Sequence, residues 1–391
     1  MSVSSAGIEG NAQSFEPAIS ADGRYIAFSS LASNLVVGDT NGMADIFVRD
    51  RVTHATDRVS LGYSASISAD GRYVAFGSEA SNLVADDANG TVDVFVRDRT
   101  EDTTVRVSAS SAGIEGNAQS FEPAISADGR YVAFSSVATN LVGDDTNAAV
   151  DIFVHDLMTH RTRRVSISSA GIEGRKRSFG PSISDDGRYI AFWSLAYNLV
   201  GNDTNRVADV FVRDRTNHKT KRVSISSAGV QAGGASQFPS LSADGRYVAF
   251  GSQASDLIVG DTNDENDVFV RDRTEKTTER VSTSSAGVQG DDFSGFPSIS
   301  ADGRYVAFYS RAGSLVDDDT NGWYDVFVRD RMEETTARVS VGSGGVEGNG
   351  SSWKPAISAD GRYVAFESDA SNLVPDDTNG GADVFRRGPL D

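Results

Sequence analysis

The sequence has no cysteine, four histidines and no apolar run long enough to span a membrane. The absence of cysteine excludes disulfides, thiolate nucleophiles and zinc sites with cysteine ligands. Basic residues are also few: 36 Lys and Arg stand against 55 Asp and Glu, which gives a formal net charge of −19. Because phosphate binding needs a basic surface, we expect neither nucleic acid nor an anionic membrane as a partner.

Residues 1–7 carry neither the basic region nor the apolar region of an export signal. We therefore expect a cytoplasmic protein, or a periplasmic or secreted one from which the signal has been removed. Hydrophobic residues make up 39% of the chain, which is enough for a packed core. We expect a monomer without membrane insertion.

The dominant feature of the sequence is a repeat. The segment Ala-Asp-Gly-Arg-Tyr places its Asp at positions 22, 70, 128, 244, 302 and 360, and Asp186 carries the same unit with Asp185 in place of Ala. The spacing is 48 residues once and 58 residues five times, and Ser4–Tyr25 is identical to Ser110–Tyr131. Seven copies of one unit across residues 1–391 predict a single repeat domain.

Each unit predicts four short strands, named A to D. In the first unit, strand A ends at Ser20, a tight turn covers 21–23, and strands B, C and D cover 24–29, 45–50 and 56–60. Strands B and C are apolar on both faces, which is typical of sheets covered on both sides. The pattern predicts an all-β, seven-bladed β-propeller of four-stranded antiparallel blades.

The two ends of the sequence predict how the ring closes. The seventh unit includes strand C at 382–386 and reaches Asp391 without a strand D, whereas residues 1–5 match the Arg164–Ser169 segment of strand D. We therefore expect Ser2–Ser4 to pair with Asp383–Arg386 as the outer strand of blade seven.

These units resemble the repeats of TolB-type propellers, also called PD40 or WD40-like repeats. The resemblance rests on Pro-x-Ile-Ser-x-Asp-Gly-Arg-Tyr-x-Ala-Phe-x-Ser followed by Asp-Ile-Phe-Val-x-Asp, and it covers the whole chain. Ala21 stands where that family usually has Pro, and we expect this to soften the turn. The resemblance implies the fold, but its members include periplasmic assembly factors, oligogalacturonate lyases and peptidase propellers, so it implies no single function.

The loop between strands B and C contains Asp-Thr-Asn-Gly-x-x-Asp, whose oxygen side chains resemble half of a calcium loop. The alternative is a structural Asx turn in which the second Asp caps the start of strand C. Gly is replaced by Ala148, Arg206 and Asp264 in blades three to five, so fewer than seven ions are expected. The candidate Ca²⁺ ligands are Asp39, Asn41, Asp45, Asp87, Asn89, Asp93, Asp145, Asn147, Asp151, Asp203, Asn205, Asp209, Asp261, Asn263, Asp267, Asp319, Asn321, Asp325, Asp377, Asn379 and Asp383.

Two positions at the start of strand A vary between units that otherwise repeat closely. Because strand A lines the channel of a propeller, these residues form a pocket for a sugar or peptide, or else plug the channel. The candidate ligand-binding residues are Phe15, Glu16, Tyr63, Phe121, Glu122, Phe179, Phe238, Phe296, Trp353 and Lys354. Both long loops of each unit are expected on this same face.

Three further features bear on function. Unit two lacks ten residues of its D–A loop, and Arg175-Lys176-Arg177 is taken as the only basic cluster. The four histidines are expected in C–D turns or beside outer strands, and no Gly-x-Ser-x-Gly motif occurs. The sequence therefore predicts a non-catalytic module that binds a protein or carbohydrate through its loop-rich face, with Ca²⁺ as a candidate ion. The alternative is a lyase or hydrolase acting at the channel mouth.

Overall fold

The computed structural model describes residues 1–390 as 27 strands in seven antiparallel sheets. Six sheets have four strands and the last has three, and the sheets follow one another around a ring. The described residues contain no helix, and hence none that could cross a membrane. The all-β, seven-bladed prediction is confirmed.

The strands of each type occupy equivalent positions in the blades. Strand A is β1 (Ser14–Ile19), β5 (Tyr63–Ile67), β9 (Ser120–Ile125), β13 (Ser178–Ile183), β17 (Ser236–Leu241), β21 (Ser294–Ile299) and β25 (Ser352–Ile357). Strand B is β2 (Tyr25–Ser30), β6 (Tyr73–Ser78), β10 (Tyr131–Ser136), β14 (Tyr189–Ser194), β18 (Tyr247–Ser252), β22 (Tyr305–Ser310) and β26 (Val364–Ser368). Strand C is β3 (Asp45–Asp50), β7 (Asp93–Asp98), β11 (Asp151–Asp156), β15 (Asp209–Asp214), β19 (Asp267–Asp272), β23 (Asp325–Asp330) and β27 (Asp383–Arg387). Strand D is β4 (Thr56–Leu61), β8 (Thr103–Arg106), β12 (Arg161–Arg164), β16 (Lys219–Arg222), β20 (Thr277–Arg280) and β24 (Thr335–Arg338).

The hydrophobic core consists of seven clusters, one between each pair of neighbouring blades. In blade one, Phe28 and Phe47 pack toward blade seven, while Ala27, Ile46 and Val48 pack toward blade two. Successive side chains of a strand point to opposite faces, so a strand buried on both faces must be apolar at nearly every position. This explains the apolar runs of strands B and C.

The Ala-Asp-Gly-Arg-Tyr turn joins neighbouring blades around the axis. Its Gly packs against the Tyr ring of the preceding blade, as Gly71 does against Tyr25, and its φ of +74° suits glycine. The backbone N–H of Ala21 donates to Ala69 O at 3.1 Å, and Ala359 N–H donates to Ala21 O at 3.0 Å across the closing seam. Proline has no N–H, so the Ala that departs from the resembled family serves as the donor of an inter-blade hydrogen bond.

The Arg of the same turn holds the end of strand C. Arg72 forms a two-pronged ion pair with Asp98, with nitrogen–oxygen distances of 2.6 to 3.1 Å. The guanidinium lowers the pKa of Asp98 to about 2. The repeated Arg and the final Asp of strand C are therefore structural partners in this unit.

The ring closes at blade seven as predicted, but the N-terminal segment does not form a fourth strand there. The sheet of blade seven is β25-β26-β27. Ser2 binds β27 through its side chain, which donates to the Asp383 carboxylate and accepts the Val384 N–H at 3.3 Å. Ser108 makes the same two bonds in blade two, where it follows strand D. The N-terminal match is thus to the segment after a strand D, because β12 already ends at Arg164.

Candidate functional site at the channel mouth

A bulge near the start of every strand A turns one side chain toward the channel. In blade one the register with β2 shifts between Phe15 and Ala18, and Glu16 has a positive φ of 53°. The equivalent residues also have positive φ: Ser64, Glu122, Gly180, Phe238, Phe296 and Lys354. Six of these seven are not glycine. Such strained backbone is retained where neighbouring structure enforces it, and it gathers at functional sites.

The turned residues surround a cavity of about 320 Å³ that opens on the loop-rich face. Glu16, Ser64, Phe238, Phe296 and Lys354 line it, together with the prolines that follow the bulges. A second, smaller cavity lies at the opposite end of the channel, between the inner Ala residues.

Blades four to six contribute an aromatic wall to this mouth. Phe238 and Phe296 stack with ring centroids 3.7 Å apart, and Phe296 stacks on Tyr309 at 5.4 Å. Trp193 lies 6.3 Å from Phe238 and stacks on Phe179 at 4.7 Å. These rings are half-buried, so part of each ring remains exposed to a ligand.

Blades seven, one and two contribute a polar wall. Glu16 accepts hydrogen bonds from Lys354 Nζ at 3.0 Å and from the Ser64 hydroxyl at 2.8 Å. Its own N–H donates to Glu367 Oε2 at 3.3 Å. Burial raises the pKa of Glu367, and the Lys354 charge opposes that rise.

Glu122 of blade three continues the polar wall. It accepts from the Ser135 hydroxyl and from Gly180 N–H, both at 2.9 Å. Glu122 makes no hydrogen bond to Glu16 within residues 1–390, and each carboxylate is held by its own donors.

The predicted mouth residues fall into two groups. Glu16, Phe238, Phe296 and Lys354 line the cavity, with Glu122 beside it. The remaining predicted residues lie one position earlier and pair with strand B: Phe15, Tyr63, Phe121, Phe179 and Trp353.

Sequence reasoning missed a third variable ring, on strand B. Its members are the strand-B partners of the earlier strand-A position: Ser29, Gly77, Ser135, Trp193, Gly251, Tyr309 and Glu367. In most blades a large residue on one of the two strands faces a small one on the other, as Phe15 faces Ser29 and Gly295 faces Tyr309. The signal was present in the repeat, because this position varies inside the otherwise constant Tyr-x-Ala-Phe-x-Ser.

The Asn of each B–C loop is used by the loop itself. Asn41 Oδ1 accepts the N–H of Met43 at 2.7 Å, and its Nδ2 donates to Asp45 at 2.9 Å. The equivalent Asn residues make the same Asx turn: Asn89, Asn147, Asn205, Asn263, Asn321 and Asn379. The turn also survives without glycine, since Ala148, Arg206 and Asp264 keep φ between 51° and 62°.

The two Asp residues of the loop instead meet a Glu from the D–A loop that sequence reasoning had not singled out. Three ligand oxygens, one from each carboxylate, lie within 4.8 Å of one another in four groups that could hold a metal ion. These groups are Asp87, Asp93 and Glu115; Asp145, Asp151 and Glu173; Asp319, Asp325 and Glu347; and Glu9, Asp377 and Asp383. In blades four and five Gln231 and Gln289 take the Glu position.

An arginine at the end of strand D enters most of these groups. Arg338 lies 3.4 Å from Asp319, 3.5 Å from Asp325 and 2.6 Å from Glu347, with a side chain 3% exposed. A guanidinium there supplies the positive charge that a cation would otherwise bring. Blade seven has no such arginine within the described residues, and burial lowers the pKa of the neighbouring Met1 amino group to about 5.

Comparison with known proteins addresses the fold. No protein-family model and no curated protein matches the sequence. The β-propeller domain of the trilobed protease from Pyrococcus furiosus is 11% identical over 97% of this chain and 96% of that chain, with a TM-score of 0.60. An oligogalacturonate lyase from Vibrio parahaemolyticus is 11% identical over 96% and 90%, with a TM-score of 0.58.

TolB from Acinetobacter baumannii is 14% identical over 90% of this chain and 79% of that chain, with a TM-score of 0.43. The chain is a seven-bladed β-propeller with TolB proteins among its structural neighbours. At identities this low, the structural similarity to the first two proteins establishes the propeller fold and no activity.

His155 lies inside strand β11 beside the outer strand β12, as expected, and is 4% exposed, with Nδ1 2.9 Å from Thr162 Oγ1. Burial lowers the pKa of His155 to about 4. The prediction that Arg175–Arg177 is the only basic cluster is wrong, because strands β12 and β16 together contain six Arg and Lys residues.

Proposed function

We propose that this propeller is a non-catalytic binding module that holds a carbohydrate at its channel mouth on the loop-rich face. The observation that carries the proposal is the division of the mouth into an aromatic wall and a polar wall. Trp193, Phe238 and Phe296 offer partly exposed rings to the apolar side of a sugar, and Glu16 and Glu122 offer acceptors for its hydroxyl groups.

A glycan array followed by calorimetry tests this proposal. We expect Trp193→Ala to weaken binding of the selected oligosaccharide by about tenfold, which is roughly 1.4 kcal/mol. Trp323→Ala is the matched control, because Trp323 is 52% exposed on a B–C loop and stacks on no mouth ring within the described residues, whereas Trp193 lies beside Phe238. Equal loss in both variants, or no binding by any glycan, would refute the mouth as a carbohydrate site.

A protein ligand and an enzymatic role are the other outcomes of the same experiment. Binding of a peptide rather than a glycan, lost in Trp193→Ala, would identify a protein-recognition module. Release of shorter oligosaccharides, abolished in Glu122→Gln, would establish the lyase or hydrolase alternative.

Calcium stabilisation is proposed for blade seven. Glu9, Asp377 and Asp383 converge there without an arginine in the described residues, and Asp377 Oδ1 is buried without a hydrogen-bond partner in them. Carboxylate oxygens are suitable Ca²⁺ ligands, and an ion at about a hundred times its Kd would add roughly 2.7 kcal/mol of stability.

A thermal melt with Ca²⁺ and with EDTA tests the ion. We expect Ca²⁺ to raise the Tm of the wild type and of Asp376→Asn but not of Asp377→Asn. Asp376 is the exposed neighbour in the same loop and serves as the charge-matched control. An identical melt in Ca²⁺ and EDTA would contradict the proposal.

A further inference from the structure

The outer edge of blades three and four reverses the charge of the protein. Residues 157–164 and 215–222, each a C–D turn followed by strand D, contain seven Lys and Arg and no Asp or Glu. The equivalent residues of blades two and six, 99–106 and 331–338, each contain two basic and two acidic residues. The local excess of positive charge stands out on a chain of net charge −19.

At two of the seams between blades, an arginine pairs with an acid at this edge. Arg99, which follows strand C of blade two, lies 3.4 Å from Asp57 on strand D of blade one. Arg331 likewise lies 2.5 Å from Glu279 at the seam of blades five and six. At the seam of blades three and four, the equivalent positions hold Arg215 and Arg163. Two cations therefore occupy the place of an ion pair.

A cavity of about 410 Å³ lies at this seam, with Arg163, Arg213 and Arg215 in its wall. Arg213 is 5% exposed and donates to Ser168 O and Thr220 Oγ1, both at 3.0 Å. Arg215 donates to a backbone carbonyl and lies over a Tyr ring at 4.4 Å. None of the three arginines has a carboxylate partner within residues 1–390.

The other charged groups of the wall do not neutralise these arginines. Arg188 is already paired with Asp214 at 2.8 Å, and Asp186 accepts from the Ser184 hydroxyl at 2.7 Å and from Arg188 N–H at 2.9 Å. His218 adds an exposed imidazole. Burial lowers the pKa of Arg215, and the Arg163 charge lowers it further. An anion between the two arginines would offset both the cost of burying the Arg215 charge and the repulsion between Arg215 and Arg163.

We propose that this cavity binds a tetrahedral oxyanion, a phosphate or sulfate group, between Arg163 and Arg215. Guanidinium groups offer forked N–H donors that match the oxygens of such a group. The rest of the acidic surface repels anions, so binding depends on the local cluster. The cavity is larger than one ion, which leaves room for a group carried on a small molecule.

Calorimetric titration with inorganic phosphate and with sulfate, against chloride at equal ionic strength, tests this site. Arg163→Glu is the decisive variant, because it installs the acid that Glu279 supplies at an intact seam, so the fold is retained. We expect it to weaken phosphate binding by at least tenfold, about 1.4 kcal/mol. Lys221→Glu is the control: it makes the same charge change at the equivalent position of strand β16, facing the next seam.

The outcomes separate the possibilities. Loss in Arg163→Glu alone supports the site, while equal loss in Lys221→Glu would reduce the effect to net charge and overturn it. Absence of phosphate binding by the wild type would also overturn it. Titration with glucose 6-phosphate, with glucose as the control for the sugar, identifies the source of the anion. Tighter binding of glucose 6-phosphate than of free phosphate assigns a phosphorylated small molecule, and weaker binding assigns the free ion.

Discussion

Lys354 Nζ lies 3.0 Å from Glu16 Oε1, across the seam where the last blade meets the first. This ion pair sits at the channel mouth and joins residues that are 338 positions apart in the chain. Both side chains remain partly exposed, 44% and 30%, so the pair orders the polar wall more than it stabilises the fold.

We expect Lys354→Met to change the free energy of unfolding by less than about 1 kcal/mol, because exposed pairs contribute little. A double-mutant cycle with Glu16→Gln, measured by urea unfolding, should give a coupling energy of roughly 0.2–1 kcal/mol. A coupling well above this range would mean that the pair is an essential part of ring closure.

The buried imidazole of His155 predicts a pH-dependent stability. Its folded pKa of about 4 lies below the unfolded value of about 6.5, so the unfolded chain binds the extra proton between these values. The contribution of the neutral His155 imidazole to the free energy of unfolding is fully present above pH 6.5 and is lost as the pH falls toward 4. We expect it to reach roughly 3 kcal/mol, since one pKa unit equals about 1.4 kcal/mol.

The control for His155 comes from the other blades, which place arginine at the equivalent position of strand C, as Arg213 does. His155→Arg should remove this loss of stability between pH 6.5 and 4, measured by denaturant unfolding at each pH. His54→Arg, at an exposed turn, should keep it. An unchanged pH profile in His155→Arg would assign the effect to other groups.

The contact of Gly245 with Tyr189 predicts a large cost for a single methyl group. Gly245 has φ +66°, and a Cβ there would overlap the Tyr189 ring. Gly229 has φ +80° but open space around its Cβ position, so Gly229→Ala measures the backbone strain alone, roughly 1–2 kcal/mol. Gly245→Ala should cost a further 1–3 kcal/mol or so from overpacking in chemical denaturation. Equal costs would show that Tyr189 moves aside freely.

The ring of backbone hydrogen bonds predicts different responses to proline at two equivalent turns. Ala243 N–H donates to Ala301 O at 3.0 Å, whereas Ala127 N–H makes no such bond within the described residues. Proline suits this turn position and restricts the unfolded chain, which stabilises by about 0.4–1 kcal/mol. We expect Ala127→Pro to raise the Tm and Ala243→Pro to be less stable than it by about 1 kcal/mol, the net value of one hydrogen bond.

A higher Tm for Ala243→Pro than for Ala127→Pro would contradict the role of the Ala N–H in joining blades. Both variants keep the Asp and Gly of the turn, so the comparison isolates one donor. Ala21 N–H donates the same kind of inter-blade hydrogen bond, so Ala at this position does more than soften the turn.

Much of the candidate site was readable from the repeat, because variation stands out against near-identical units. Glu16, Phe238 and Lys354 could be named in this way. Two residues of the site could not be named from strand A alone. Trp193 and Glu367 lie on strand B, where Trp193 contacts Phe238 and Glu367 accepts a hydrogen bond from Glu16 N–H. The Glu of each carboxylate group was missed for a similar reason, since Glu115 meets Asp87 only when the two loops fold together.

The sequence by itself determined the number of blades, the strand pattern and the loop-rich face, because these follow from local periodicity and turn chemistry repeated seven times. Tertiary structure alone decided three things: that Ser2 binds blade seven by its side chain, that Arg338 enters a carboxylate group, and that Arg163 faces Arg215 across a seam. Each depends on distances between residues far apart in the chain, which the spacing of a repeat does not specify.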